Sequence, residues 1–139
     1  MKYMILLYAS QQDYDSMTGK GTPDNPAWTA ADFEAMGAYM EKWNKEIADS
    51  GEFVDARGLA EPVHTRRVQL ENGVPVVTDG PYPETAEVLA GYTIVECDSF
   101  DRATEIAARL AACPAPEHAR GRAKADVRPI VDSRTDLEV

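Results

Sequence analysis

The opening residues MKYMILLY constrain this chain most, because they are apolar on both phases of a two-residue alternation. In a strand, successive side chains point to opposite faces. Met4, Leu6 and Tyr8 then look one way, and Tyr3, Ile5 and Leu7 the other. The stretch Gly91 to Cys97 repeats the pattern, with Val95 and Cys97 opposing Tyr92 and Ile94. A sheet of such strands needs an apolar layer on each face. The chain offers only two long helical patterns to supply them. Thr29 and Asp32 form a capping box ahead of Phe33, Met36, Met40, Trp43 and Ile47, a stripe expected to face a core. Ser99 caps a second helix whose apolar face is Phe100, Ala103, Ile106, Ala107 and Leu110. Two helices cover one face, so the other is expected to be covered by a second copy, giving a homodimer packed through the sheet.

The remaining elements fill in an α+β order. Residues 9–28 carry scattered Ser, Asp, Gly, Pro and Asn and read as a long loop. Gly51 ends the first helix, and Glu52 to Arg57 predict a short strand. Asn72-Gly73 between residues 64–71 and 74–78 predicts a two-residue hairpin. Val127 to Val131 is the last strand, and residues 132–139, DSRTDLEV, read as a polar tail. The 139 residues suit one domain over 1–131. Strand, helix, strands, strand, helix, strand matches a ferredoxin-like split βαβ sandwich with two helices on one face of an antiparallel sheet.

Charge and motifs exclude several functions. The formal net charge of -10 opposes nucleic acid as a partner. Arg120, Arg122, Lys124 and Arg128 are a local exception, read as a solvated approach to the last strand. No apolar run approaches the ~20 residues that span a bilayer, and no leader pattern stands at the start, so a cytoplasmic protein without a membrane partner is expected. Cys97 and Cys113 suit free thiols rather than a disulfide scaffold. Two histidines and two cysteines without ligand spacing make no zinc site, and neither a dinucleotide fingerprint nor a phosphate loop is present, so no metal and no cofactor is expected.

Residues 76–97, VVTDGPYPETAEVLAGYTIVEC, carry the candidate site. Asp79 stands at a strand end with a glycine-proline turn behind it, a position from which side chains often bind ligands. The same Asp in a plain turn would bond its own backbone. Glu84 and Glu87 could share one face of a helical turn begun by Pro83. His64 precedes a strand and could act as an acid/base group if it approached Asp79, whereas His118, between prolines and the last strand, reads as structural or solvated.

The segment Thr78-Asp79-Gly80-Pro81-Tyr82, with Glu84-Thr85, Glu87, Leu89 and Gly91-Tyr92, resembles the signature of the DGPF proteins, a branch of the YCII-related family. The resemblance extends over most of the chain except residues 9–28 and the tail. It implies a dimeric α/β barrel of ferredoxin-like subunits and a small-molecule cleft lined by the Asp79 turn. Asp79 is then a catalytic candidate, with His64 beside it on the reading of the residues above rather than from the resemblance. Tyr82, Glu84, Thr85, Glu87 and Tyr92 are then the ligand-binding candidates. Some family members occur near or fused to sigma factors, which implies a regulatory module as the alternative to weak lyase or hydrolase activity. Relatives acting on small aromatic or lactone-like compounds use a His-Asp pair whose histidine lies in the first helix. This chain has no histidine there, and it carries Tyr82, Pro83 and Ala86 where the pattern has Phe, a small residue and Lys.

Overall fold

The computed structural model describes residues 1–138. In chain order its elements are β1 (Lys2–Ala9), α1 (Gln11–Met17), α2 (Ala30–Asp49), β2 (Phe53–Gly58), β3 (Arg66–Glu71), β4 (Val74–Asp79), β5 (Val88–Glu96), α3 (Phe100–Ala111) and β6 (Ala125–Pro129). Four strands form an antiparallel sheet in the order β2-β5-β1-β6, and β3 and β4 pair separately. This is the α+β strand order of a ferredoxin-like sheet, with the β3-β4 hairpin inserted between β2 and β5.

The two faces of β1 meet different surroundings. Tyr3, Ile5 and Val95 are buried in one cluster with Trp43 and Ile47 of α2 and Ala103, Ile106 and Leu110 of α3. Ile5 is fully enclosed, opposite Thr93 on one side and Val127 on the other. The helices are also tied to each other. The Trp43 indole donates to the Ile106 carbonyl at 3.1 Å, and Arg109 pairs with Glu46 at 2.6 Å. On the other face Met4 and Leu6 stand opposite Ile94 and Tyr92, all partly exposed. Charged residues flank this apolar strip: Asp55 and Arg57 on β2, Asp126 and Arg128 on β6. Neither α2 nor α3 covers it.

Several expectations need correction. Residues 9–28 are not wholly loop, since Ser10 and Asp13 form a reciprocal capping box and open α1. Seven residues are too few to display an apolar period, so the cap was the only legible signal. The stripe on α2 faces the core only in its second half. Trp43 and Ile47 are buried, but Phe33 is 38% exposed and lies beside Trp28, because the helix extends past the sheet. Residues Pro62–His64 form a 3₁₀ turn, so β3 starts at Arg66, and Pro62 explains why the strand cannot begin earlier. The strand expected at Gly91 starts at Val88, and the last strand is Ala125–Pro129. The polar tail contains a 3₁₀ turn, Arg134–Glu138.

The hairpin forms as expected. Asn72 and Gly73 have φ of 52° and 80°, the left-handed pair that lets a two-residue loop follow the strand twist. Its apolar side chains find no cover within the chain, with Val68 64% and Leu70 71% exposed. Both cysteines are free. Among the described residues no helix is long and apolar enough to cross a membrane.

Candidate functional site

The residues of the 79–87 segment do not gather around one point. Asp79 closes β4 directly opposite Arg66, and the two side chains pair at 3.1 Å while both remain more than three-quarters exposed. The partial burial implied by a ligand-gripping carboxylate is therefore absent in the single chain. The turn behind it is held by the Gly80 N–H, which donates to the Thr65 carbonyl at 2.8 Å. Gly80 takes φ of 55°, a conformation that suits glycine. His64 is also exposed and lies 3.5 Å from Glu61, its one ion-pair partner among the described residues. Arg67 stacks over the Tyr82 ring at 5.2 Å.

Beyond Pro81 the segment becomes the wall of a cleft. Glu84 and Glu87 do not share a helical turn; the Ala86 N–H closes a turn onto Pro83, and the chain then enters β5. Pro83 and the short spacing to β5 leave no length for a helix. The turn at Glu84 and Thr85 docks on α1 through the Gln12 N–H, which donates to the Glu84 carbonyl at 3.2 Å. Glu87 pairs with Lys124 at 2.9 Å, and Lys124 lies 5.7 Å from the centre of the Tyr8 ring. Tyr92 sits on the uncovered sheet face opposite Leu6.

The cleft itself has a volume of about 160 Å³ and lies where β1 ends and α1 begins. Tyr8, Met17 and Trp28 give it apolar walls, while Asp13, Glu87, His118 and Arg122 bring charge and hydrogen bonding to its rim. Arg122 contacts Asp13 through one guanidinium nitrogen at 3.2 Å. Ser16 is 1% exposed; its hydroxyl donates to the Pro26 carbonyl at 2.6 Å and lies 3.3 Å from His118 Nε2. The hydrogen bond between the Tyr8 hydroxyl and the Asp126 carboxylate, which ionising the phenol would remove, pushes that phenol above its ordinary range, with desolvation and the nearby negative charge adding to it. A second hollow, about 320 Å³, opens between α2 and the β2-β5 edge, where Leu7, Met40, Trp43 and Leu110 give a mainly apolar lining and Asn44, Arg57, Thr93 and the expected site residue Tyr92 complete it.

The cleft thus unites two stretches that sequence reading set aside, the 9–28 loop and the basic segment before β6. Of the expected site residues it takes Glu87 directly and Glu84 and Thr85 as its neighbours. It leaves Asp79, His64, Tyr82 and Tyr92 outside. His118, read from the sequence as structural or solvated, lines the cleft. The available signal was the Ser10–Asp13 capping box, which would have turned the loop into a helix presenting Ser16 and Asp13 on a common side. Among the described residues no cluster of His, Cys, Asp and Glu is arranged to hold a metal ion.

An uncharacterized protein of Rhizobium meliloti (strain 1021) is 25% identical over 84 residues, covering 60% of this chain and 68% of that protein. The profile of the YCII-related domain matches residues 1–122, which takes in β1, both long helices, the hairpin, β5 and every cleft residue from Tyr8 to Arg122. On the strength of that match, the chain belongs to the YCII-related family.

Proposed function

We propose that this protein is a small-molecule-binding domain acting as a homodimer, with sheet faces packed together as a dimeric α/β barrel and the ligand held in the Tyr8-Trp28-His118 cleft. One observation carries the reading. Apolar walls from β1 and the 9–28 segment meet paired and unpaired polar groups from the 79–87 and 117–124 segments in a space of about 160 Å³, the composition expected of a ligand pocket. Within the family, the Thr78-Asp79-Gly80-Pro81-Tyr82 segment supports membership of the DGPF branch. Asp79, paired with Arg66, acts at the base of that segment, fixing where Glu84, Thr85 and Glu87 meet α1. Any lyase or hydrolase step would start from His118, the histidine inside the cleft; His64 stands outside it.

The test is a thermal-shift screen of small aromatic and carboxylate compounds against the wild type and Trp28→Ala. At least one compound should raise the melting temperature of the wild type and leave Trp28→Ala unmoved, since Trp28 forms a wall of the cleft and contributes little to the main core. A screen in which every stabilising compound acts equally on both proteins would reject the cleft as the ligand site.

A further inference from the structure

The two ring nitrogens of His118 are in different settings, and one buried hydroxyl determines which of them carries hydrogen. A serine hydroxyl has a single proton to give. That of Ser16 is given to the Pro26 carbonyl at 2.6 Å. The 3.3 Å contact between Ser16 Oγ and His118 Nε2 is then a hydrogen bond only if Nε2–H donates to Oγ. A neutral imidazole has one N–H, so Nδ1 is left without hydrogen and acts as an acceptor. Nδ1 has no hydrogen-bond partner among the described residues, and no buried side-chain nitrogen or oxygen there is without one. Nδ1 is therefore accessible rather than enclosed, on a residue that lines the cleft.

We infer that His118 is the hydrogen-bond acceptor of the cleft, that Ser16 is its positioning residue, and that the ligand is a small ring compound carrying a hydroxyl donor and a carboxylate. The inference rests on the small-molecule reading of the cleft and adds its chemistry. The hydroxyl is the complement of the bare Nδ1. The carboxylate is the complement of Arg122, whose guanidinium comes within 3.2 Å of Asp13 and has five N–H donors, more than one carboxylate takes up. Tyr8, Met17 and Trp28 supply the flat apolar contact that a ring needs.

Ring nitrogen-15 spectra of the unliganded protein at about pH 8, above the usual histidine range, test the tautomer. His118 should show a protonated Nε2 and an unprotonated Nδ1. Ser16→Ala should relax this to a mixture and Ser16→Thr, which keeps the hydroxyl, should restore it. A wild-type spectrum with hydrogen on Nδ1 overturns the inference whether or not either variant folds. Binding is probed with 4-hydroxybenzoate against 4-methoxybenzoate, which has the same ring and carboxylate but no donor. The first should bind about tenfold more tightly, the worth of one hydrogen bond that would otherwise leave a partner unpaired, and His118→Ala should remove the difference. Equal affinity for the two compounds, or no binding of 4-hydroxybenzoate in a cleft that still takes some other Trp28-dependent ligand, refutes the acceptor role alone. Failure to find any Trp28-dependent ligand refutes the parent reading, and leaves the tautomer measurement to stand or fall by itself.

Discussion

Ile5 and Leu6 are neighbours on one strand with the same number of side-chain carbons, and replacing each by Ala should produce different kinds of loss. Ile5 is 0% exposed, held between Thr93 and Val127 under the helices. Ile5→Ala removes roughly three carbons, about 2.4 kcal/mol of transfer free energy at ~0.8 kcal/mol each, and the cavity left behind raises the cost to about 3–4 kcal/mol. At about 3 °C per kcal/mol for a chain of this size, the melting temperature should fall by about 10 °C at any protein concentration. Leu6 faces the uncovered side, opposite Tyr92 and Asp126, and is partly exposed in the single chain. Within one chain its loss should cost under about 1 kcal/mol. In a sheet-to-sheet dimer it is lost from both subunits at the interface, so Leu6→Ala should lower the melting temperature more at low protein concentration than at high, and Leu6→Asp should separate the subunits. Circular dichroism melts at several concentrations, with light scattering to weigh the particle, make the comparison. A wild type that scatters as a 15.3 kDa particle at micromolar concentration, with Leu6→Ala melting independently of dilution, would refute the argument from the two apolar faces.

Two further outcomes follow from the ion pairs. Glu52, immediately before β2, accepts two hydrogen bonds from Arg102 of α3 at 2.7 and 2.9 Å and is held below the usual glutamate range chiefly by that guanidinium. Because the folded state favours the ionised form, its contribution is present above the ordinary value of about 4.3 and is lost as the pH falls through the lower folded value; Glu52→Gln should therefore cost about 1–2 kcal/mol in neutral denaturant melts and progressively nothing in strong acid, and a deficit that persists undiminished there would disprove the assignment. Asp79→Asn should change stability by less than about 0.5 kcal/mol, since an exposed pair contributes little, and a loss of several kcal/mol would show that the Asp79–Arg66 pair is structural.

The fold was legible wherever a pattern repeats. Alternation on β1 and β5, capping boxes at Thr29 and Asp32, the Ser99 cap and the Asn72-Gly73 turn each state a local geometry that the tertiary structure has no reason to override. Boundaries moved where a residue outside the pattern intervened. Pro62 delays β3, and α2 carries its stripe beyond the sheet it covers, so that Phe33 meets Trp28 instead of the core. Periodicity reports which side of an element is apolar, and how far the opposing surface extends is a property of the other elements.

The cleft was illegible for a related reason. Its residues come from positions 8 to 28, 87, and 118 to 123, and nothing in their spacing announces that they meet. Antiparallel pairing brings them together: β1 runs between β5 and β6, so the end of β1 lies beside the start of both. Whatever follows Tyr8 must therefore pack against whatever precedes Val88 and Ala125. The segment after β1 is α1 with its cap, the segment before β5 is the 80–87 turn, and the segment before β6 is the basic stretch carrying His118 and Arg122. Each reads alone as a polar connection, which is why the acids and cations look like solvated surface until the register is known. The 79–87 motif then acquires a second meaning. Its Asp79 end is fastened to Arg66 in the hairpin, its Glu84 end to the backbone of α1, and the glutamate it delivers to the cleft is Glu87, paired with Lys124. A motif recognised by its aspartate turn contributes to this cleft through the residues at its other end.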